Sequence, residues 1–307
     1  MRIVFFGTPE FAVPSLEALI RERQVLAGVV TQPDKPQGRS RSTLVSPPVK
    51  RLAEREGIPI LQPAKPVGDL FLMSLRRLEP ELGVVVAYGH VLRPEVLAVP
   101  THGMINVHAS LLPRWRGAAP VQHAILAGDR ETGVSIMRVE EGLDTGPVFH
   151  RVATPIGPEE TAGVLTARLA VLGAAALTTT LALLTSDSIR AEPQDGAAAT
   201  YASKIEREMA RLDWSRDPNT LVRQVRAFDP SPGAWTTQGG YLLKLFGAVA
   251  SSGQGTPGTV LAADERLLVA CGDGAVAFKE VQVGGKNRIP VAAWSRGRGV
   301  SVGERFV

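Results

Sequence analysis

Short apolar runs recur along the first half of this chain, each separated from the next by a stretch with helical spacing. The runs at 2–6, 26–31, 58–61, 82–87 and 104–107 read as buried strands, and the stretches at 13–21, 49–55 and 70–78 read as helices. Strands alternating with helices build a largely parallel sheet covered on both faces. A helix at 119–126, strands at 133–139 and 148–152 and a long helix at 159–184 complete this part.

The pattern then changes. Residues 185–200, with SDS, EPQDG and a run of small residues, have the composition of a linker. Helical stretches at 204–210 and 217–227 follow, and beyond Pro230 come short alternating segments with glycine turns, YLLKLF, TVLAA, RLLVACGDG and AVAFKEVQV. At 307 residues the chain exceeds the usual size of one compact core. The expected fold class is α/β. A Rossmann-like open, mostly parallel sheet domain spans 1–185, a linker spans 186–203, and a small C-terminal β-barrel domain, OB-like, spans 204–307.

Several function classes are disfavoured at once. The start MRIVFFG reads as the first strand rather than as a leader, and the apolar stretch 162–184 carries Arg168 and many Thr and Gly residues, so it reads as a buried helix and not as a membrane span. A lone cysteine, Cys271, allows no internal disulfide and no thiolate cluster for zinc, which fits a reducing compartment; its apolar neighbours LLVA mark it as a structural thiol. Residues 1–200 hold 20 basic and 20 acidic side chains and residues 201–307 hold 14 and 10, so the whole positive excess falls in the last third. A polyanionic partner for that part is compatible with this and not demonstrated by it.

The first turn, FFGTPEF, sits between a strand and a helix, but it has one glycine where a dinucleotide fingerprint needs three. The segment NVHASLLPRWRGAAPVQ at 106–122 is more informative. It begins at a strand end, where open parallel sheets place their ligands, and period-two alternation puts Asn106 and His108 on one face. An amide donor and an imidazole converging on one atom suit acyl transfer; taken singly, each is better explained by loop capping or a half-buried structural histidine, and their shared face weakens that explanation. The other histidines, His90, His102, His123 and His150, lack such a companion. In EEGLDTGPV at 140–148, Asp144 lies between Gly142 and Gly146, either as a turn former or as a carboxylate directed at the active face.

These segments carry a resemblance. HASLLPRWRGAAPVQ at 108–122, GLDTGP at 142–147, FFGTPEFAVPSLEAL at 5–19 and VVAYGHVL at 85–92 closely resemble the folate-dependent formyltransferase family. The RWRGAAPVQ continuation after SLLP and the appended C-terminal part are similar to the branch that formylates methionyl-tRNA, and not to the smaller members that formylate glycinamide ribonucleotide. TYASKI at 200–205, RLDWS at 211–215 and VRAFDPSPGAW at 225–235 agree with that branch; the likeness weakens after about Tyr241.

The resemblance implies 10-formyltetrahydrofolate as formyl donor and the α-amine of methionyl initiator tRNA as acceptor; a monomer without metal, in the cytoplasm, is the further expectation. It implies a catalytic set of Asn106, His108 and Asp144, folate contacts along Ser110, Leu111, Leu112 and Pro113, and a tRNA-engaging basic loop within QPDKPQGRSRSTLVSPPVK at 32–50. Arg39 is the best match in that loop; the basic pair expected after Gly-Arg is replaced by Arg41 between serines. Formylation of a small amine, hydrolysis of formylfolate, and an RNA-binding module with a vestigial α/β domain are the competing readings, and an intact Asn106, His108 and Asp144 set argues against the last.

Overall fold

The computed structural model describes residues 1–37, 43–297 and 299–307. Two compact units emerge. One comprises Met1–Pro120, Glu131–Pro155 and Thr166–Ala202, the other Val121–Arg130, Ile156–Leu165 and Ser203–Val307.

The first unit opens with β1 (Arg2–Gly7), α1 (Val13–Arg21) and β2 (Val25–Val30), followed by a hairpin of β3 (Lys35–Gln37) and β4 (Thr43–Val45). Then come α2 (Pro48–Arg55), β5 (Ile60–Leu61), α3 (Asp69–Arg77), β6 (Leu82–Val86), a single turn α4 (Pro94–Leu97) and β7 (Met104–His108). The two-residue β8 (Arg116–Gly117), β9 (Glu131–Arg138), β10 (Val148–Pro155), α6 (Ala162–Thr185, from Thr166 on) and β11 (Tyr201–Ala202) complete the run, while α5 (Pro120–Ala127), between β8 and β9 in the chain, falls from Val121 on in the second unit. Proline starts α1 and α2, where its missing N–H belongs to the unpaired first turn anyway.

Seven strands form one sheet in the order β10-β9-β7-β6-β1-β2-β5. The pairs from β7 through β5 are parallel, and β9 and β10 are antiparallel additions at one edge. Burial follows position: Ile3, Val4, Phe5 and Phe6 of central β1 are wholly buried on both faces, whereas β10 alternates, as an edge strand with one wet face should. Strand order reverses between β1 and β6, so the crevice at their carboxyl ends is where a sheet of this type takes its ligand. Thr8 Oγ1 closes that end by donating to the Tyr88 carbonyl at 3.0 Å.

Helix α6 is long and apolar enough to cross a membrane by length and composition alone, yet it lies against the strand that carries Asn106 and His108. A Cβ at Gly173 would stand 2.8 Å from Cγ1 of Val107, so glycine at this helical position is what lets the helix approach β7. Residues 186–203, linker-like in composition, are not loose in the described structure. Val148 and Glu192 exchange both backbone hydrogen bonds, at 2.8 and 2.9 Å, and Tyr201 and Ala202 pair in parallel with Arg116 and Gly117.

The second unit holds α7 (Pro218–Phe228), capped by Asp217, whose carboxylate accepts from Thr220 N at 2.9 Å. Two four-stranded sheets follow, built from β12 (Trp235–Gln238), β13 (Tyr241–Phe246), β14 (Val249–Ser251), β15 (Val260–Ala263), β16 (Leu267–Cys271), β17 (Gly274–Phe278), β18 (Glu280–Val283) and β19 (Ile289–Pro290). One runs β12-β13-β18-β19 and the other β14-β17-β16-β15, all antiparallel, and α8 (Val291–Ser295) packs on them. Cys271 lies in their shared core, 3% exposed, and burial pushes its thiol up from the ordinary range.

Two expectations change here. The helix expected at 204–210 is only a short 3-10 turn, Arg207–Ala210, because Arg211 bridges Trp235 and Leu212 N donates to the Trp235 carbonyl at 2.8 Å, which draws the chain into an extended path. The apolar run AVAFKEVQV at 275–283 is two strands and not one: the chain leaves one sheet at Phe278 and enters the other at Glu280.

Candidate active site

Asn106 and His108 sit at the carboxyl end of β7, on one face, with β9 alongside through the pairs Asn106↔Met137 and His108↔Ser135. Asn106 is half-buried, and its carboxamide makes no hydrogen bond to the described residues. His108 is 6% exposed. Its Nε2 lies 2.9 Å from the carbonyl oxygen of Trp115. A carbonyl only accepts, so Nε2 carries the proton, and Nδ1 is left for chemistry.

Nδ1 faces Asp144. The 139–147 loop leaves β9 and turns back so that Asp144 Oδ2 stands 3.7 Å from His108 Nδ1, beyond a direct hydrogen bond and close enough for a charge pair when the ring is protonated. The same oxygen accepts from Gly117 N at 2.9 Å. Gly146 cannot be larger, since a Cβ there would fall 2.1 Å from the Arg138 carbonyl. The three side chains expected to act together are thus brought to one place, with an unengaged amide beside a half-enclosed imidazole–carboxylate pair.

The SLLP segment divides into two kinds of residue. Ser110 is wholly buried, its Oγ donates to the Arg114 carbonyl at 2.6 Å, and its own carbonyl accepts from Ser135 Oγ at 2.7 Å. Leu112 is 2% exposed and packs with Met137 and Val148, while its N–H donates to Ser135 Oγ and its carbonyl accepts from Arg151 Nε. Leu111 and Pro113 keep part of their surface open. The segment is therefore a braced turn with an apolar, partly open side.

On the other side of β1, Asp34 stands at the root of the β3–β4 hairpin. Lys50 Nζ donates to both its oxygens at 2.9 and 2.8 Å, Gln62 Nε2 donates at 2.9 Å and Ser46 Oγ at 3.2 Å. The Lys50 ammonium holds the Asp34 carboxyl below its usual range. Arg39 and Arg41 lie outside the described residues.

Gln194, Thr200 and the backbone of Trp115 also contact this site, and sequence reasoning did not single them out. Gln194 and Thr200 lie in the linker-like stretch, where polar and small residues carried no periodic signal.

Fold and site together define an enzyme of the formyl transferase class: residues 1–181 match the family Formyl transferase, and residues 204–299 match Formyl transferase, C-terminal domain. A methionyl-tRNA formyltransferase of Magnetococcus marinus is 48% identical over 306 residues, covering 99% of this chain and 98% of that protein. One of Methylococcus capsulatus is 50% identical over 291 residues, 94% of each chain. The chain belongs to the methionyl-tRNA formyltransferase family. A crystal structure of HypX from Aquifex aeolicus in complex with tetrahydrofolic acid shares the fold at a TM-score of 0.68 and 22% identity, over 95% of this chain and 46% of that one.

Proposed function

We propose that this enzyme transfers the formyl group of 10-formyltetrahydrofolate to the α-amine of methionine esterified to initiator tRNA, in the cytoplasm, where translation begins. The observation that carries the reading is the convergence of Asn106, His108 and Asp144 at the end of β7 in a chain 48% identical to a methionyl-tRNA formyltransferase over nearly its whole length.

In this reading the amine attacks the formyl carbon, and negative charge grows on the formyl oxygen. The Asn106 amide N–H and the Nδ1–H of protonated His108 donate to that oxygen, which is where preorganised donors contribute most. Asp144 balances the imidazolium and takes the proton that the ammonium must lose, directly or through water. When the C–N bond to the carrier breaks, N10 of tetrahydrofolate leaves with a proton, and no covalent enzyme intermediate forms. Leu111 and Pro113 offer the flat apolar wall for the folate, and the backbone of the braced turn completes it, while Ser110 and Leu112 brace that turn from below.

Acceptor binding divides between the basic loop that carries Arg39 and Arg41 and the second unit, with the catalytic domain at 1–185 and the tRNA-binding domain at 204–307. The test is product identity. Wild type with formylfolate and charged initiator tRNA should yield N-formylmethionine and tetrahydrofolate in equal amounts, and Asn106→Ala, His108→Ala and Asp144→Ala should each slow this by orders of magnitude with less than additive losses in combination. Unchanged turnover in any one would remove that residue from the mechanism.

A further inference from the structure

The two family matches end at residue 181 and resume at 204, and the stretch between them belongs to neither. We infer that Gln194 and Thr200, both on that stretch, are positioning residues of the transfer centre: Thr200 holds the Trp115 carbonyl on His108 Nε2, and Gln194 holds the backbone of the Asp144 loop. The inference rests on the formyl-transfer reading of the same centre.

Two residues at the centre have left-handed backbones that a non-glycine residue does not adopt without support: Trp115 at φ 61° and Asp144 at φ 52°. Each is held by this stretch. Around Trp115, Thr200 Oγ1 accepts from Trp115 N at 2.9 Å, Thr200 N donates to the Pro113 carbonyl at 3.3 Å, and Arg116 N donates to the Thr200 carbonyl at 2.9 Å. Those bonds fix the peptide whose oxygen meets His108 Nε2 at 2.9 Å. Thr200 thereby sets which ring nitrogen carries the proton and keeps Nδ1 toward Asp144.

Gln194 does the equivalent for the carboxylate. Its Nε2 donates to the carbonyls of Asp144 at 2.8 Å and Gly146 at 2.7 Å, and its Oε1 accepts from Arg116 Nε and Nη2 at 3.0 and 2.9 Å. All four hydrogen-bonding positions of the amide are filled, and Arg116, 6% exposed, finds its partner there. The stretch also approaches more closely than a side chain would allow: Gly117, at φ 118°, would place a Cβ 2.5 Å from the Ala202 carbonyl, and Gly117 N is the donor to Asp144 Oδ2. One segment thus braces both halves of the imidazole–carboxylate pair by holding their backbone supports.

The test uses the full-length protein with Thr200→Val, Thr200→Ser and Gln194→Glu. Valine keeps the shape and removes the acceptor, serine restores it, and glutamate keeps the acceptor for Arg116 while removing both N–H donors. Thr200→Val and Gln194→Glu should lower kcat by roughly tenfold or more with the KM for formylfolate within about twofold of wild type, and Thr200→Ser should recover kcat to within about threefold. Independently of turnover, 15N NMR of the His108 ring should show the Nε2–H tautomer in wild type and Thr200→Ser and a mixed population in Thr200→Val. An unchanged tautomer and kcat in Thr200→Val, a serine variant that fails to recover, or full turnover in Gln194→Glu would overturn the inference. Should Thr200→Val not fold, Thr200→Ala, which also lacks the acceptor, takes its place against Thr200→Ser in the same measurements. If wild type transfers no formyl group, the functional reading fails while the tautomer measurement still reads the positioning role.

Discussion

Asp144→Asn isolates the charge of the proposed carboxylate from its shape. An asparagine oxygen still accepts the Gly117 N–H that Asp144 Oδ2 now receives at 2.9 Å, so the loop should stay in place. What disappears is the negative charge 3.7 Å from His108 Nδ1, and with it the base that takes the ammonium's proton, so the loss worked from the charge alone is the smaller part of the expected effect. With an effective dielectric constant of about 20, two unit charges at that distance attract by about 4.5 kcal/mol. Felt in full as the imidazolium acts on the oxyanion, this corresponds to a loss of about two thousandfold in kcat. The assay is single-turnover formylation of charged initiator tRNA at saturating donor, alongside equilibrium binding of a folate analogue. Binding should hold within about twofold. A kcat within about threefold of wild type, with the fold intact, would mean that the charge of Asp144 takes no part in the transfer step.

Arg39→Ala should lower kcat/KM for tRNA by the equivalent of about 1 to 3 kcal/mol and narrow the preference for initiator over elongator tRNA if it reads bases; parallel weakening of both tRNAs with a shallower salt slope would make it a phosphate contact. Arg41→Ala should give the smaller, phosphate-like loss, and two unchanged variants would move tRNA recognition to the second unit. A chain ending at Ala202 should bind a folate analogue, while one ending at Thr185, which lacks the pairing of Tyr201 and Ala202 with β8, should melt lower and bind it more weakly; equal behaviour would show that residues 186–202 do not support the first unit. Because Lys50 holds the Asp34 carboxyl below its usual range, the folded state resists protonation there, so the stabilisation is present above about pH 4 and lost as pH falls further. Thermal melts from neutral to acid pH should therefore fall less steeply for Asp34→Asn than for wild type, and identical slopes would refute the linkage.

The sheet was legible in the sequence because central strands such as β1 and β6 are buried on both faces and read as unbroken apolar runs. Asn106 and His108 were legible for a related reason: strand periodicity fixes their common face at a strand end. Asp144 could only be narrowed to a turn former or a reagent, because its distance to His108 depends on a loop path with no period. Gln194 left no signal, and Thr200 entered only as the first residue of the TYASKI likeness, with no role attached to it. Apart from the Gln194–Arg116 side-chain pair, their bonds run to backbone atoms some 50 to 85 residues away in the chain, and such contacts select no residue pattern at the backbone end. The same reason explains the mistaken helix at 204–210, where helical propensity yields to backbone pairing with Trp235.

The acceptor is identified most directly by the ratio of kcat/KM values for charged initiator tRNA, charged elongator tRNA and glycinamide ribonucleotide with the same formylfolate donor. The initiator should exceed the elongator by orders of magnitude, and glycinamide ribonucleotide should give no transfer above background. Comparable or greater transfer to glycinamide ribonucleotide, or release of formate from the donor with no formylated tRNA, would contradict initiator tRNA as the acceptor.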